Sequence, residues 1–416
     1  MKRRAFLFLA LSSLIGRAET RPRYGGTLRV QLATMFAAEE IPLVTEPLVR
    51  FDEHGEIAPV LARGWQSDAE KKRWRFVIRS RAIAPAATPA AVAAALGPAM
   101  KKSYGDVTVT STAQTVVIQS DRSMPDLLER LARTPAGIPG TGPFRVAKFE
   151  AGHKAILEAN EDYPGGRPFI DAVEFTVAPQ RGAGYQLSGA DMWELPVGVS
   201  RRLIPDGMRV WTSSPLDLIA LYLPAAEPGL RDALSFSIDR SAIVNVLTQR
   251  RGEVAQGLLP RWLTGYEFLF AAPFDAGRAR DAAAQIKTRT LSLGVAVSDP
   301  LARSVADRII VNARDAGLTL QVSALPETAS VRLLHIRLDC ADASRALREI
   351  AGNQNIGDLN SPEALYHAER AILDEGRLIP LMHVPQVFGI GPRVRSSTGL
   401  PTCDLLSSIP NLWLTP

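Results

Sequence analysis

Two cysteines in 416 residues exclude a disulfide framework and a thiolate metal cluster, because both need several cysteines at set spacings. After the N-terminal twenty residues no apolar run is long enough to cross a bilayer as a helix, which takes about 20 residues. Histidine is sparse: of five, His335, His367 and His383 can meet only through the fold. Gly-x-x-x-x-Gly-Lys, His-Glu-x-x-His, Gly-x-Ser-x-Gly and Cys-x-x-Cys are all missing. The phosphate-cradling loop, the zinc helix, the serine elbow and the redox pair are therefore gone as starting points. No block of Lys and Arg tracks a phosphate backbone, so nucleic acid is not an expected partner. Neither a catalytic residue, a metal site nor a cofactor is expected.

What is present starts with Met1-Lys2-Arg3-Arg4 ahead of an apolar run from Ala5 to Ile15 and the small residues around Ala18, the layout of a cleaved export signal. Arg3-Arg4 also approximates a twin-arginine pattern, although the general secretory route is favoured. No cysteine adjoins the expected cleavage site, so the mature chain is expected free in a periplasm and without a lipid anchor. Cleavage after Ala18 also explains the basic balance. It removes Lys2, Arg3, Arg4 and Arg17, taking the 48 basic residues to 44 against 43 acidic ones. At 46% hydrophobic residues, a chain this long holds more than one core, since single cores stop growing near about 250 to 300 residues.

Local patterns locate the elements. Gly140-Thr141-Gly142-Pro143 combines two permissive glycines with a proline of fixed φ, which makes a sharp turn. Phe144 and Val146 then alternate as a strand, Glu150 to His153 can turn, and Lys154 to Ala159 can return as its hairpin partner. Asn160 to Pro168 is loop by composition, and Val173, Phe175 and Val177 mark a further strand. Thr88 and Asp239 are placed as N-caps, with Pro89 at a first helical position. Further on, Leu291 to Val297 alternates, Ala302 to Ala313 follows helical spacing, Gly317 closes that helix, and Leu318 to Val322 alternates again. That is a βαβ unit with parallel strands. Val331 to Leu338 adds a strand, and Ser361-Pro362 starts another helix.

The turn, the hairpin, Asn160-Glu161-Asp162-Tyr163 and Gly165-Gly166-Arg167-Pro168 together closely resemble a signature of the extracellular solute-binding proteins of peptide- and nickel-type (family 5) ABC importers. Tyr24-Gly25-Gly26-Thr27-Leu28 resembles that family's opening, and Ile238-Asp239-Arg240-Ser241-Ala242-Ile243-Val244 its second strong signature. The resemblance implies an α/β, two-lobed periplasmic-binding-protein fold with a trimmed subdomain inserted in the first lobe. The expected layout is a signal at 1–18, a first lobe at 22–205 and 382–416 with the insertion at about 45–138, and a second lobe at 206–381. It implies a monomer that captures a small solute, peptide-like, metal-chelate or other, by hinge closure and presents it to the membrane permease subunits of an ABC importer. The rival readings are a degenerate relative that binds a protein partner and an exported enzyme.

Candidate ligand contacts follow from the same layout. The loop after the first strand lies where open α/β sheets bind ligands, which nominates Met35 and Phe36 as cleft wall or as core. Trp193 falls where the chain nears the cleft in relatives. In peptide-carrying relatives an aspartate in a Gly-Trp, Asp, Asp-Pro segment holds the ligand's amino group. The nearest counterpart here, Leu338 to Ser344, keeps Asp339 and Asp342 but lacks the tryptophan and the proline. Weak or no binding of free di- and tripeptides is therefore expected. Cys340 and Cys403 are expected as free thiols, since a bridge between lobes would block closure.

Overall fold

The computed structural model describes residues 21–416 apart from 36–42, 52–55, 80–86, 134–137, 139, 178–188, 226–227, 272, 288, 297–298, 339–341, 353, 355, 358 and 360. Two sheets carry the architecture. The first has seven strands in the spatial order Arg209–Thr212, Val387–Ile390, Met192–Leu195, Thr27–Leu32, Ala172–Val177, Lys154–Ala159, Phe144–Glu150. The second has six, in the order Glu253–Val254, Leu378–Val384, Asp217–Tyr222, Val331–Arg337, Thr290–Gly294, Thr319–Val322. A four-stranded antiparallel sheet, with the helix Pro89–Tyr104 on it, forms a separate core that runs from Leu48 to Ile138.

The signature around Gly140 has a mechanical explanation. Asn160, buried to 1% exposure, donates from its amide to the carbonyls of Gly140 at 3.0 Å and Gly142 at 2.8 Å. The loop thus fastens the turn to the far end of the hairpin. A Cβ on Gly142 would run into the carbonyl of Leu43, so only glycine lets that backbone pass.

The strand Asp217–Tyr222 reads as a continuous apolar run because both its faces are covered. Ile219 and Leu221 belong to one core with the helix Pro300–Asp315, whereas Leu218 and Ala220 belong to another with the helices Ala343–Ala351 and Pro362–Asp374. Thr290–Gly294 and Thr319–Val322 pair in parallel on either side of the helix Pro300–Asp315, as the alternation of their residues predicts.

The chain crosses between the sheets later than expected. Arg209–Thr212 is still an edge strand of the first sheet, paired with Val387–Ile390, so the first crossing lies at residues 213–216 and not near 205. All seven residues of Leu378–Val384 are buried within the second sheet, which moves the return to Pro385 and Gln386 and away from 382. The two crossings are bonded to each other: Ser213 N–H donates to the Gln386 carbonyl at 2.9 Å, Gln386 N–H to Ser213 Oγ at 2.9 Å, and Leu216 N–H to the Val384 carbonyl at 3.1 Å.

Candidate functional site

Beside these paired crossings lies a cavity of about 320 Å³, open to one side, with walls from both sheets. Leu195, Val197, Leu247, Leu301, Val384 and Val387 make it largely apolar. Its titratable groups are fewer and come from four separated segments, Glu194, Asp217, Asp299 and His335, beside the uncharged polar side chains of Ser304 and Gln386.

Each is positioned by its element. Asp299 caps the helix Pro300–Asp315, its Oδ1 accepting from the N–H groups of Leu301 at 2.9 Å and Ala302 at 3.0 Å, which leaves Oδ2 directed away from the cap. His335 lies opposite Ile219 on the neighbouring strand, and Arg337 opposite Asp217. The period of two puts His335 and Arg337 on the face that also carries Val331 and Leu333. As a result Nδ1 of His335 meets Asp299 Oδ2 at 2.6 Å, Nε2 stands 3.3 Å from Asp217 Oδ2, and Arg337 Nε is 3.6 Å from Asp217 Oδ1.

Charge follows from that geometry. Burial alone would pull the His335 pKa down, but the hydrogen bonds its ring N–H groups donate to Asp217 and Asp299, with the charges of those carboxylates, outweigh it and raise the pKa to about 9. The imidazole is thus a cation at neutral pH with both N–H groups committed. For Asp299 burial works upward, yet His335 and the two helix amides prevail and hold its carboxyl below the usual range. Glu194 is the opposite case. Burial raises its pKa, the Ala33 N–H at 2.9 Å opposes this, and the charge of Asp217 adds to the rise.

The residues nominated from sequence fare unevenly. Met35 is half-buried against the core of the first sheet and does not line the cavity, although Ala33, two positions earlier, does. Trp193 is 6% exposed within the core, and its neighbour Glu194 reaches the cavity instead. Asp342 caps the helix Ala343–Ala351, accepting from Arg345 N–H at 3.0 Å, which commits that carboxylate to structure. Phe36, Asp339 and Cys340 lie outside the described residues. Cys403 is free and buried, but it packs in a core of the second lobe with Leu216 and Leu338. The premise that placed it with the first lobe is corrected, because the C-terminal strap leans across both lobes. His367 is exposed beside Glu363, and His383 is buried with Nε2 donating to the Leu258 carbonyl. Among the described residues no three His, Cys, Asp or Glu side chains converge as a metal site.

Comparison with known proteins gives this geometry a setting. Residues 84–345, well over half of the chain, match the family "Bacterial extracellular solute-binding proteins, family 5 Middle". The chain is similar to the oligopeptide-binding protein AppA of Bacillus subtilis (strain 168), 31% identical over 127 residues, which are 28% of this chain and 23% of AppA. It is also similar to the nickel-binding periplasmic protein of Escherichia coli (strain K12), 23% identical over 314 residues, 62% of this chain and 59% of that protein. The matched stretches thus span less than two thirds of these relatives' own length. Among solved structures, the periplasmic binding protein DppA of Helicobacter pylori in complex with the peptide STSA superposes with a TM-score of 0.74 at 15% identity, over 94% of this chain and 99% of that one. The binding protein AgaA of A. tumefaciens R10, in complex with agropinic acid, gives 0.75 at 16% over 94% and 99%. At such identities the likeness establishes the two-lobed α/β fold.

Proposed function

The chain belongs to the bacterial extracellular solute-binding proteins of family 5, and from that premise we propose that it captures a small solute in the cavity between its sheets and delivers it to the membrane subunits of an ABC importer. It acts as a binding protein and performs no chemistry on the solute, and it works in the periplasm after losing its N-terminal signal. The solute enters between lobes that turn about the two crossings, and closure buries it. The observation that carries this reading is the position of the cavity. It sits against the paired crossings at 213–216 and 385–386, with Ala33 and Glu194 from one sheet and Asp217, Asp299 and His335 from the other, so a bound molecule touches both bodies that a hinge would move.

Small-angle scattering tests it. Protein recovered from the periplasm is measured before and after removal of any co-purifying solute, which native mass spectrometry identifies. The expected result is a larger radius of gyration once the solute is removed and its recovery on adding the solute back. An unchanged radius at saturating solute overturns the closure mechanism, and a cavity that never yields a solute overturns the capture reading.

A further inference from the structure

The cavity is unbalanced in charge. Three carboxylates line it against one imidazolium, and among its described lining residues none is Lys or Arg. Arg337 stands behind Asp217 and adds a second cation, but its Nη2 donates to the Cys403 carbonyl at 3.2 Å and its Nε points at Asp217 Oδ1 from 3.6 Å, too far for a hydrogen bond. His335 has spent both N–H groups on Asp299 and Asp217. Among the described residues the three carboxylates are thus one counter-charge short whenever Glu194 is ionised.

Two acceptor positions go with it. Asp217 is 8% exposed, and its buried Oδ1 has no hydrogen-bond partner. Glu194 accepts from Ala33 N–H through Oε2. Its carboxyl pKa is raised mainly by burial, with the charge of Asp217 adding to the rise, so its ionised form gains from any cation brought close. Buried acceptors and a buried negative charge are both costly unless a partner meets them. The remaining walls are mostly aliphatic, with Ser304 and Gln386 as the uncharged polar side chains, and about 320 Å³ lies at the small end of ligand pockets.

Resting on the capture of a solute in this cleft, we propose that the solute is a small organic cation, a protonated amine, amidine or guanidine on a compact apolar body, whose N–H groups meet the carboxylates of Glu194 and Asp217. The same arrangement disfavours zwitterions, because a solute carboxylate would face Asp299 and Asp217 with no cationic donor free: both N–H groups of His335 are already engaged, and the Gln386 amide is uncharged.

Calorimetry and thermal shift on the full mature protein, stripped of solute, test the assignment with congeners of one shape: 2-phenylethylamine, 2-phenylethanol, 3-phenylpropionate and phenylalanine, with agmatine as a guanidinium probe. The cations are expected to bind and to raise the melting temperature, and the alcohol, the acid and the zwitterion to bind at least about tenfold more weakly. Glu194→Gln keeps an acceptor for Ala33 N–H and is expected to fold, yet to lose at least about tenfold in affinity for the cations. Asp217→Asn is expected to do the same, and an unchanged circular dichroism spectrum in either variant separates lost recognition from lost fold. Equal or tighter binding of the alcohol or the acid, no binding of any cation at millimolar concentration, or cation affinity unmoved in both variants overturns the proposal. Compaction in scattering with an anionic or neutral co-purified solute would sink the cation assignment while leaving solute capture standing.

Discussion

The coupling of His335 to two carboxylates predicts a stability that depends on pH in a defined direction. Its folded pKa is raised from 6.5 to about 9, so the native state holds the imidazole proton more tightly than the unfolded chain does. The stabilisation is present in full below the unfolded pKa and is lost as pH rises through the folded one. A shift of that size corresponds to about 3 kcal/mol at most. The side chain is 32% exposed, and solvent screening reduces the expected effect to about 1 to 2 kcal/mol. The lowered pKa of Asp299 expresses the same contact from the partner's side and is not added.

The experiment compares urea unfolding of the wild type and His335→Gln at about pH 6 and about pH 10. Asp217, Asp299, Glu194 and Arg337 surround the position in both proteins, so the change in the gap between them reports the imidazole proton. The wild type is expected to exceed the variant in stability by about 1 to 2 kcal/mol more at the lower pH than at the higher one. An equal gap at both would refute the pairing, since glutamine carries no proton to lose.

Asn160→Ala removes two buried amide donations to the turn at Gly140 and Gly142 and leaves their carbonyls in want of donors. It is expected to cost about 2 to 4 kcal/mol, and a loss below about 0.5 kcal/mol in urea unfolding would contradict the fastening role. Gly142→Ala drives a methyl into the Leu43 carbonyl and is expected to cost at least about 2 kcal/mol, while the same change at Gly64, whose Cβ position is open, should stay within about 1 kcal/mol. Glu369, fully buried, accepts from Leu258 and Leu259 N–H and from the Tyr266 hydroxyl, and burial lifts its pKa to about 7. Raised from 4.5, that group contributes stability that fades as pH climbs from 4.5 to about 7. Glu369→Gln should therefore gain on the wild type between those values, and a constant difference in unfolding free energy would count against it.

Much of the fold was legible because its signals are local. The hairpin at residues 144–159 follows from alternation and turn composition, and the unit at 290–322 from a strand period giving way to a helical one and back. Thr88 and Asp239 cap helices as their positions imply, accepting from Ala91 and Ala242. The crossings were misplaced for a reason equally local. Arg209–Thr212 offers one buried residue of four, as edge strands do, so its pattern gives no sign of the sheet it joins. Leu378–Val384 is buried on both faces, and a continuous apolar run carries no mark of where one lobe ends.

The site was harder to read because nothing local binds its members together. Glu194, Asp217, Asp299 and His335 are spread over more than a hundred residues and meet only through the order of strands in the second sheet and the pairing of the two crossings. A charged residue opening an otherwise apolar strand, as Asp217 does before Leu218 to Leu221, was the one available signal. An internal charge there must end either in solvent or against a partner. Asp342 shows why composition misleads: it is a helix cap of the same chemical kind as Asp299, and both accept from the first turn. What separates them is the neighbour across the sheet. Asp299 has a second oxygen within reach of a histidine on an adjacent strand, and that adjacency turns a cap into part of a cavity wall. The charged wall is therefore built by strand order, and a substitution that re-registers Val331–Arg337 against Asp217–Tyr222 would dismantle it while leaving every one of its residues in place.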